Sequence, residues 1–158
     1  MDEQKQNIIN KLSYINIITS LDTFICDIIL TKIIQDEESF NNFFNSIPPC
    51  KKKDEMTKLK EDNLVAQWEQ KVIEYVMRTS YSNIDTIKDI LKELFKVSII
   101  DTNGKMKKHF YYRNLLAHRN GRKKDGGYIN ITNEELKSLI TDTQSIAKQI
   151  QTKIKPEH

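Results

Sequence analysis

Three residues of the C-terminal half have types and spacing suited to chemistry: Arg113, Asn114 and His118, in the run YYRNLLAHRNGRKKDGG at 111–127. Asn114 and His118 are four apart and share a helix face. Arg113 and His118 are five apart, roughly 140° around a helix that turns about 100° per residue. Either the arginine reaches round, or the helix loosens near His118. Asn120-Gly121 favours loosening, because both residues tolerate the left-handed backbone that ends helices. The residue types fit cleavage of RNA, which carries its own nucleophile, the 2′-hydroxyl. What must be supplied is a proton acceptor or donor working near neutral pH, which histidine provides. The other need is fixed positive charge for a phosphorane-like transition state, which a guanidinium fork provides. Asn114 can orient the histidine or hold a phosphate oxygen. An Arg and a His near a helix end also serve as a cap or a surface pair, so the three residues leave both readings open.

The charge around them is lopsided. Between Thr102 and Lys124 stand eight basic residues, Lys105, Lys107, Lys108, Arg113, Arg119, Arg122, Lys123 and Lys124, and no Asp or Glu. The rest of the chain holds 17 basic and 22 acidic residues. A basic segment on an acidic body attracts polyanions, nucleic acid above all, although a charge run by itself also reads as a solvated loop.

Other chemistries find less support. Cys26 and Cys50 make no disulfide framework and read as reduced bystanders. With three scattered histidines they give no zinc set, and no cofactor is expected. Gly121 to Gly126 has phosphate-loop spacing, but Gly127-Tyr128 stands where Lys-Ser/Thr is required. The lysine run after Cys50 could serve as a basic tether, but acids interrupt it, and Trp68, in register with Val65 and Val72, reads as core packing. The start, MDEQKQN, is no secretory signal. No stretch approaches the ~18 apolar residues that would span a bilayer. A cytoplasmic protein with no membrane contact is the expectation.

The elements that must position the three residues are helical. The 158 residues, 38% hydrophobic and 30% charged, predict one domain, 1–158, able to bury roughly 70% of its unfolded surface. No glycine or proline interrupts residues 2–47. Ile8, Leu12, Ile15, Ile18, Leu21, Ile25 and Ile28 step by three and four, predicting one long helix or two nearly continuous ones with these residues inward. Asp36-Glu37-Glu38 begins a short helix through Phe40, Phe43 and Phe44, ended by SIPPCKKK. A further helix starts near Asp54 and carries Val65, Trp68, Val72, Tyr75 and Val76. Asn83 caps a helix bearing Ile84, Ile87, Leu91, Leu94 and Phe95. DTNG at 101–104 turns the chain into the motif helix, entered through Met106, Phe110 and two tyrosines. YINI allows a small extended piece. Thr132 and Glu135 match a capping box before a last helix with Leu136, Leu139, Thr143, Ile146 (or Ala147) and Ile150. The fold class is all-α, an up-and-down-like bundle of five to six helices.

Arg113-Asn114 followed by His118 resembles the signature of the HEPN superfamily: Arg, four intervening residues and His, here with a polar residue directly after the Arg. AHRNGRKKDGGYINIT (117–132) resembles the continuation in one broad bacterial branch, where the motif helix ends at a glycine, a basic loop follows and a capped terminal helix begins. SLDTFICDIILTKIIQDEESF (20–40) and DTIKDILKELFKV (85–97) resemble that branch's earlier helices, so the likeness covers most of the chain. It implies an all-α HEPN-like domain, commonly a homodimer in which two motifs form one composite active site. It also implies a metal-independent endoribonuclease, acting as a toxin or in antiphage defence, with a possible antitoxin or defence-system partner protein. Arg113 would bind and neutralise the scissile phosphate, His118 would transfer the proton and Asn114 would support them. An RNA-binding role for Arg119, Arg122, Lys123, Lys124 and Lys108 follows from charge alone. In one toxin subfamily a tyrosine two residues after the His is adenylylated, whereas Asn120 stands there in this chain. Other superfamily members bind RNA, a nucleotide or a protein partner without cleaving anything, and that non-catalytic module is the alternative.

Overall fold

The computed structural model describes residues 2–46, 65–79 and 81–154. Among them the chain is helical: α1 Glu3–Gln35, α2 Glu37–Ser46, α3 Val65–Arg78, α4 Ile84–Phe95, a single 3-10 turn Thr102–Gly104, α5 Lys105–Arg119 and α6 Asn133–Lys153. The expected helix start near Asp54, the proline stop at 48–49 and the lysine run after Cys50 lie outside the described residues. So do the side chains of Phe40, Phe44, Val65, Trp68 and Val72.

α1 is the spine. Its 33 residues make a rod about 50 Å long, and α2, α3, α5 and α6 all pack against it. α4 packs on α2 and α5. Asp36 is the single non-helical residue between α1 and α2. Its carboxylate accepts from the Glu38 and Ser39 amides, 3.3 and 3.1 Å away, and from the Ser39 hydroxyl. Ending one helix and capping the next with the same residue produces the break that the acidic run predicts.

The buried stripe of α1 is Asn10, Tyr14, Ile18, Leu21, Ile25, Ile29 and Ile33. Ile8 and Leu12, expected on this inner face, are instead 58% and 57% exposed, and Ile15 and Ile28 are half-buried. The correction has a physical cause. At this end of α1 the inward positions are polar, and their polar atoms are satisfied. Asn10 Nδ2 donates to Ile131 O at 2.9 Å and to Asn133 Oδ1 at 3.1 Å. The Tyr14 hydroxyl lies 2.6 Å from His109 Nδ1. A hydrogen-bonded polar group can be buried at little cost, so apolar periodicity follows the wrong face here. Further along α1 the inner residues Ile18 to Ile33 are aliphatic. Burying each contributes about 1.5–3 kcal/mol against Val76, Ile87, Leu91, Phe110, Leu139, Ile146 and Ile150 of one common core.

α6 runs beside α1 in the same direction. Its start meets Asn10, and its end lines a cleft with Phe24, Ile28, Thr31 and Gln35. Its N-terminus carries the full capping box, with Glu135 N donating to Thr132 Oγ1 and Thr132 N to Glu135 Oε2, both 3.1 Å. Asn83 caps α4 as expected, accepting from Asp85 N at 2.9 Å. Cys26 is a free, half-buried thiol. No helix among the described residues is long and apolar enough to cross a membrane.

Candidate functional site

α5 positions all three motif residues. Its start is fixed from outside the helix: Asp101 accepts from Met106 N at 2.9 Å and Lys107 N at 3.3 Å. This places a carboxylate at the positive end of the helix dipole. Its C-terminus is cut by Asn120 at φ 49° and Gly121 at φ 80°. Both amides fold back onto the Leu115 carbonyl. The helix is unbroken through Arg119, so the loosening expected near His118 does not occur. The left-handed turn begins two residues later, and His118 stays in the last regular turn.

Gly121 is held tightly. A Cβ at this position would sit 3.3 Å from Leu116 Cδ2, and a left-handed backbone costs a non-glycine residue about 1–2 kcal/mol. Gly121→Ala is therefore expected to lower the melting temperature by roughly 2–8 °C, read by circular dichroism. An unchanged melt would show that the turn relaxes freely. The turn opens a small hairpin. Arg122 and Tyr128 pair across it as an antiparallel bridge, Lys123 N donates to Gly127 O at 2.8 Å and Ile129 N to Gly121 O at 2.9 Å. Ile129 and Ile131 then plug into the core. This is the small extended piece that YINI predicts.

Regular helix geometry through His118 decides which residues meet. Lys107, Tyr111, Asn114 and His118 fall within about 60° of one another around the axis and form one face of α5, exposed at Lys107, Tyr111 and His118 and half-buried at Asn114. Arg113 lies roughly 140° from His118 around the axis, and its guanidinium hydrogen-bonds to Asn114 rather than to the imidazole. The arginine is half-buried. Its Nη1 donates to Asn114 Oδ1 at 3.2 Å, and its Nε is buried with no hydrogen-bond partner among the described residues. Asp22 of α1 lies within its electrostatic reach. Burial pushes the Asp22 carboxyl above its usual value, while the Tyr81 amide and the Arg113 charge resist. Asn114 thus touches Arg113 while sharing a face with His118. His118 itself is exposed and makes no side-chain hydrogen bond or ion pair among the described residues.

Apart from Arg113, the cations of this segment differ in their surroundings. Lys107 pairs with Asp85 at 2.8 Å and Lys105 with Asp142 at 3.4 Å, so the N-terminal end of α5 is largely neutralised. Lys108 lies 5.2 Å from the centre of the Tyr112 ring. Arg119, Arg122 and Lys124 are exposed, Lys123 half-exposed, and none has an acidic partner among the described residues. The unpaired positive charge is therefore concentrated around His118 and the hairpin.

One constellation has no counterpart in the sequence reading. His109, one turn before Arg113, is buried among three helices. Its Nε2 lies 3.0 Å from Asp142 Oδ2 of α6, and its Nδ1 2.6 Å from the Tyr14 hydroxyl of α1. With the Asp142 carboxylate accepting from Nε2–H, Nδ1 is left to accept from the phenol. Burial pushes the Tyr14 phenol well above its usual range, with Glu135, Tyr112 and Asp142 adding to it. Burial also works to raise the Asp142 carboxyl, but hydrogen bonds from His109, Lys105 and Ser138 outweigh it and hold the group below its usual value. Tyr14 is almost wholly enclosed, so this relay braces the motif helix and is closed to substrate. One signal could have found it. Met106, His109, Arg113 and Leu116 step by three and four, which puts a histidine on the inner face, where it needs partners.

A cleft of about 390 Å³ lies elsewhere, at the ends of α1, α4 and α6, lined among others by Lys32, Asn42, Lys96 and Lys153. Two of its lysines already donate to carbonyls, Lys96 to Glu93 O at 3.0 Å and Lys153 to Ser98 O at 2.6 Å. No group of three or more His, Cys, Asp or Glu side chains among the described residues is arranged to hold a metal ion. In comparison with known proteins, the model of the RiboL-PSP-HEPN family matches residues 1–156. No curated protein and no solved structure matches the chain.

Proposed function

The chain belongs to the RiboL-PSP-HEPN family, and we propose that it is a metal-independent endoribonuclease that works as a homodimer. The observation that carries this reading is the state of the motif residues. Arg113 has a buried Nε with no hydrogen-bond partner among the described residues, Asn114 links it to the face that bears His118, and Arg119, Arg122, Lys123 and Lys124 have no acidic partner among those residues. A buried, unsatisfied guanidinium nitrogen beside unneutralised charge suits a missing anionic partner.

In this reading Arg113 and His118 act together across a two-fold axis. The roughly 140° between them on one helix is closed by bringing two copies of α5 to one phosphodiester. His118 takes the proton of the 2′-hydroxyl, and O2′ attacks phosphorus. The P–O5′ bond breaks, and the departing 5′-oxygen is protonated. Arg113 holds the charge that builds on the non-bridging oxygens. Asn114 keeps the guanidinium in place. The products are a 2′,3′-cyclic phosphate and a 5′-hydroxyl, and no water is consumed. A toxin or antiphage role, with an antitoxin or another defence protein as partner, suits an enzyme of this kind, and Arg119, Arg122, Lys123, Lys124 and Lys108 would hold the strand.

Purified protein incubated with total RNA, tRNA and rRNA in excess chelator is expected to cut, leaving ends that carry cyclic phosphate. Binding should weaken steeply with salt as phosphate contacts release counterions. Loss of cutting in chelator, restored by a divalent ion, would overturn the mechanism. The alternative of a non-catalytic module predicts salt-sensitive RNA binding with no product at all.

A further inference from the structure

We infer that Tyr111 and Tyr128, the exposed tyrosines before and after the motif in the chain, are platforms on which the bases of a bound RNA strand stack. This inference rests on the endoribonuclease reading. The chain has six tyrosines. Tyr14 and Tyr81 are buried, and Tyr75 and Tyr112 are half-buried. The two exposed ones, Tyr111 at 48% and Tyr128 at 64%, bracket the motif in sequence, one on the motif helix and one on the hairpin that follows it.

Tyr111 belongs to the same face of α5 as Asn114 and His118. It lies seven residues before His118, about 10 Å along the axis and within about 20° around it. Its ring rests against Tyr112, centroids 6.1 Å apart and planes at 49°, so it is held in place by a neighbour that packs on the core. Tyr128 stands on the hairpin that follows the motif, directly across from Arg122. Side chains at such positions lie about 5 Å apart at Cβ. The hairpin is fixed at its base by Gly121 and by the buried Ile129 and Ile131. Asp125, the acid within it, is turned onto the Gly127 amide at 3.0 Å.

Two exposed rings among Lys108, Arg119, Arg122, Lys123 and Lys124 form an aromatic and cationic surface, the chemistry that binds bases and phosphates together. A ring can stack only on a base whose face is free. In a duplex those faces are covered by neighbouring pairs, whereas loops and single strands offer them.

The test uses the full chain and a randomised 2′-O-methyl RNA pool, which lacks the attacking hydroxyl, as single strand and as annealed duplex at one salt concentration. Fluorescence anisotropy reads affinity, and light scattering reads the mass of each variant. Wild type is expected to prefer the single strand. Tyr111→Ala and Tyr128→Ala should each weaken single-strand binding about ten-fold, with duplex binding unchanged, and Tyr111→Phe and Tyr128→Phe should keep nearly all of it. Alanine variants that bind the single strand like wild type would overturn the inference, as would equal losses on both forms. So would a loss accompanied by a fall in mass, which would make these rings a contact between copies. If wild type binds no RNA of either kind, the endoribonuclease reading fails first.

Discussion

His118→Ala is expected to abolish RNA cleavage and leave the melting temperature where it was. The imidazole is exposed and has no side-chain hydrogen bond to lose, and surface substitutions of this kind stay within about 0.5 kcal/mol. A shift of no more than about 2 °C follows for a chain of this length. The rate is another matter. Positioned proton transfer contributes about 10²–10⁴-fold, so product should fall below detection in an assay that resolves a hundred-fold loss. Arg113→Lys should also be severely impaired, because an ammonium keeps the charge but loses the planar fork and its bond to Asn114. Since the guanidinium bonds to Asn114 rather than to the imidazole of its own chain, mixing Arg113→Lys with His118→Ala protein should restore part of the activity. A mixed dimer retains one native guanidinium and one imidazole, from different copies, in the shared cleft. Full activity in the His118 variant would sink the assignment, and a failure of the mixture to recover would sink the shared cleft alone.

The second large effect falls on stability. His109→Ala removes the centre of the relay between Tyr14 and Asp142, leaving a buried phenol with no acceptor and a carboxylate short of one donor. Unmaking such an arrangement costs about 2–4 kcal/mol, so a drop of roughly 5–15 °C in melting temperature is expected. Tyr14→Phe, which removes one bond and keeps the ring, should cost less. The pH dependence has a definite sign. Hydrogen bonds hold the Asp142 carboxyl below its ordinary value of 3.8. Its contribution to stability is therefore complete well above that pH and is lost as the pH falls through its lowered value. The gap between wild type and His109→Ala should accordingly narrow in acid. A variant that melts with wild type at neutral pH would show that the three helices do not depend on this contact.

The helices were legible in the sequence where local chemistry decides them. Asp36 at the break, Asn83 and Thr132 as caps, and Asn120-Gly121 as a stop all act over four or five residues, and the structure places each as read, apart from the loosening before Asn120. The inner face of α1 was misread at one end because there the buried groups are amide and phenol, whose partners arrive from residues 95 to 123 positions away. For His109 the local spacing gives the inner face, but its partners Tyr14 and Asp142 stand on two other helices and are not legible from it. The motif itself was visible as residue types and spacing. Its environment was not, since the pairing of Lys105 and Lys107 and the freedom of Arg119 to Lys124 depend on which acids the fold brings near.

The way α1 is fastened also bears on when this protein can act during its own synthesis. Asn10 is tied to residues 121 and 123 positions downstream and Tyr14 to one 95 downstream, so the contact order at this end of the bundle is high and its closure is slow. A nascent chain still lacking α6 has no Asn133 for Asn10 and no Asp142 for His109. The motif helix emerges before α6, one of the helices that hold it. If the chain cleaves RNA as proposed, translation must deliver α6 as well as α5 before a ribosome-borne copy could act on the RNA around it.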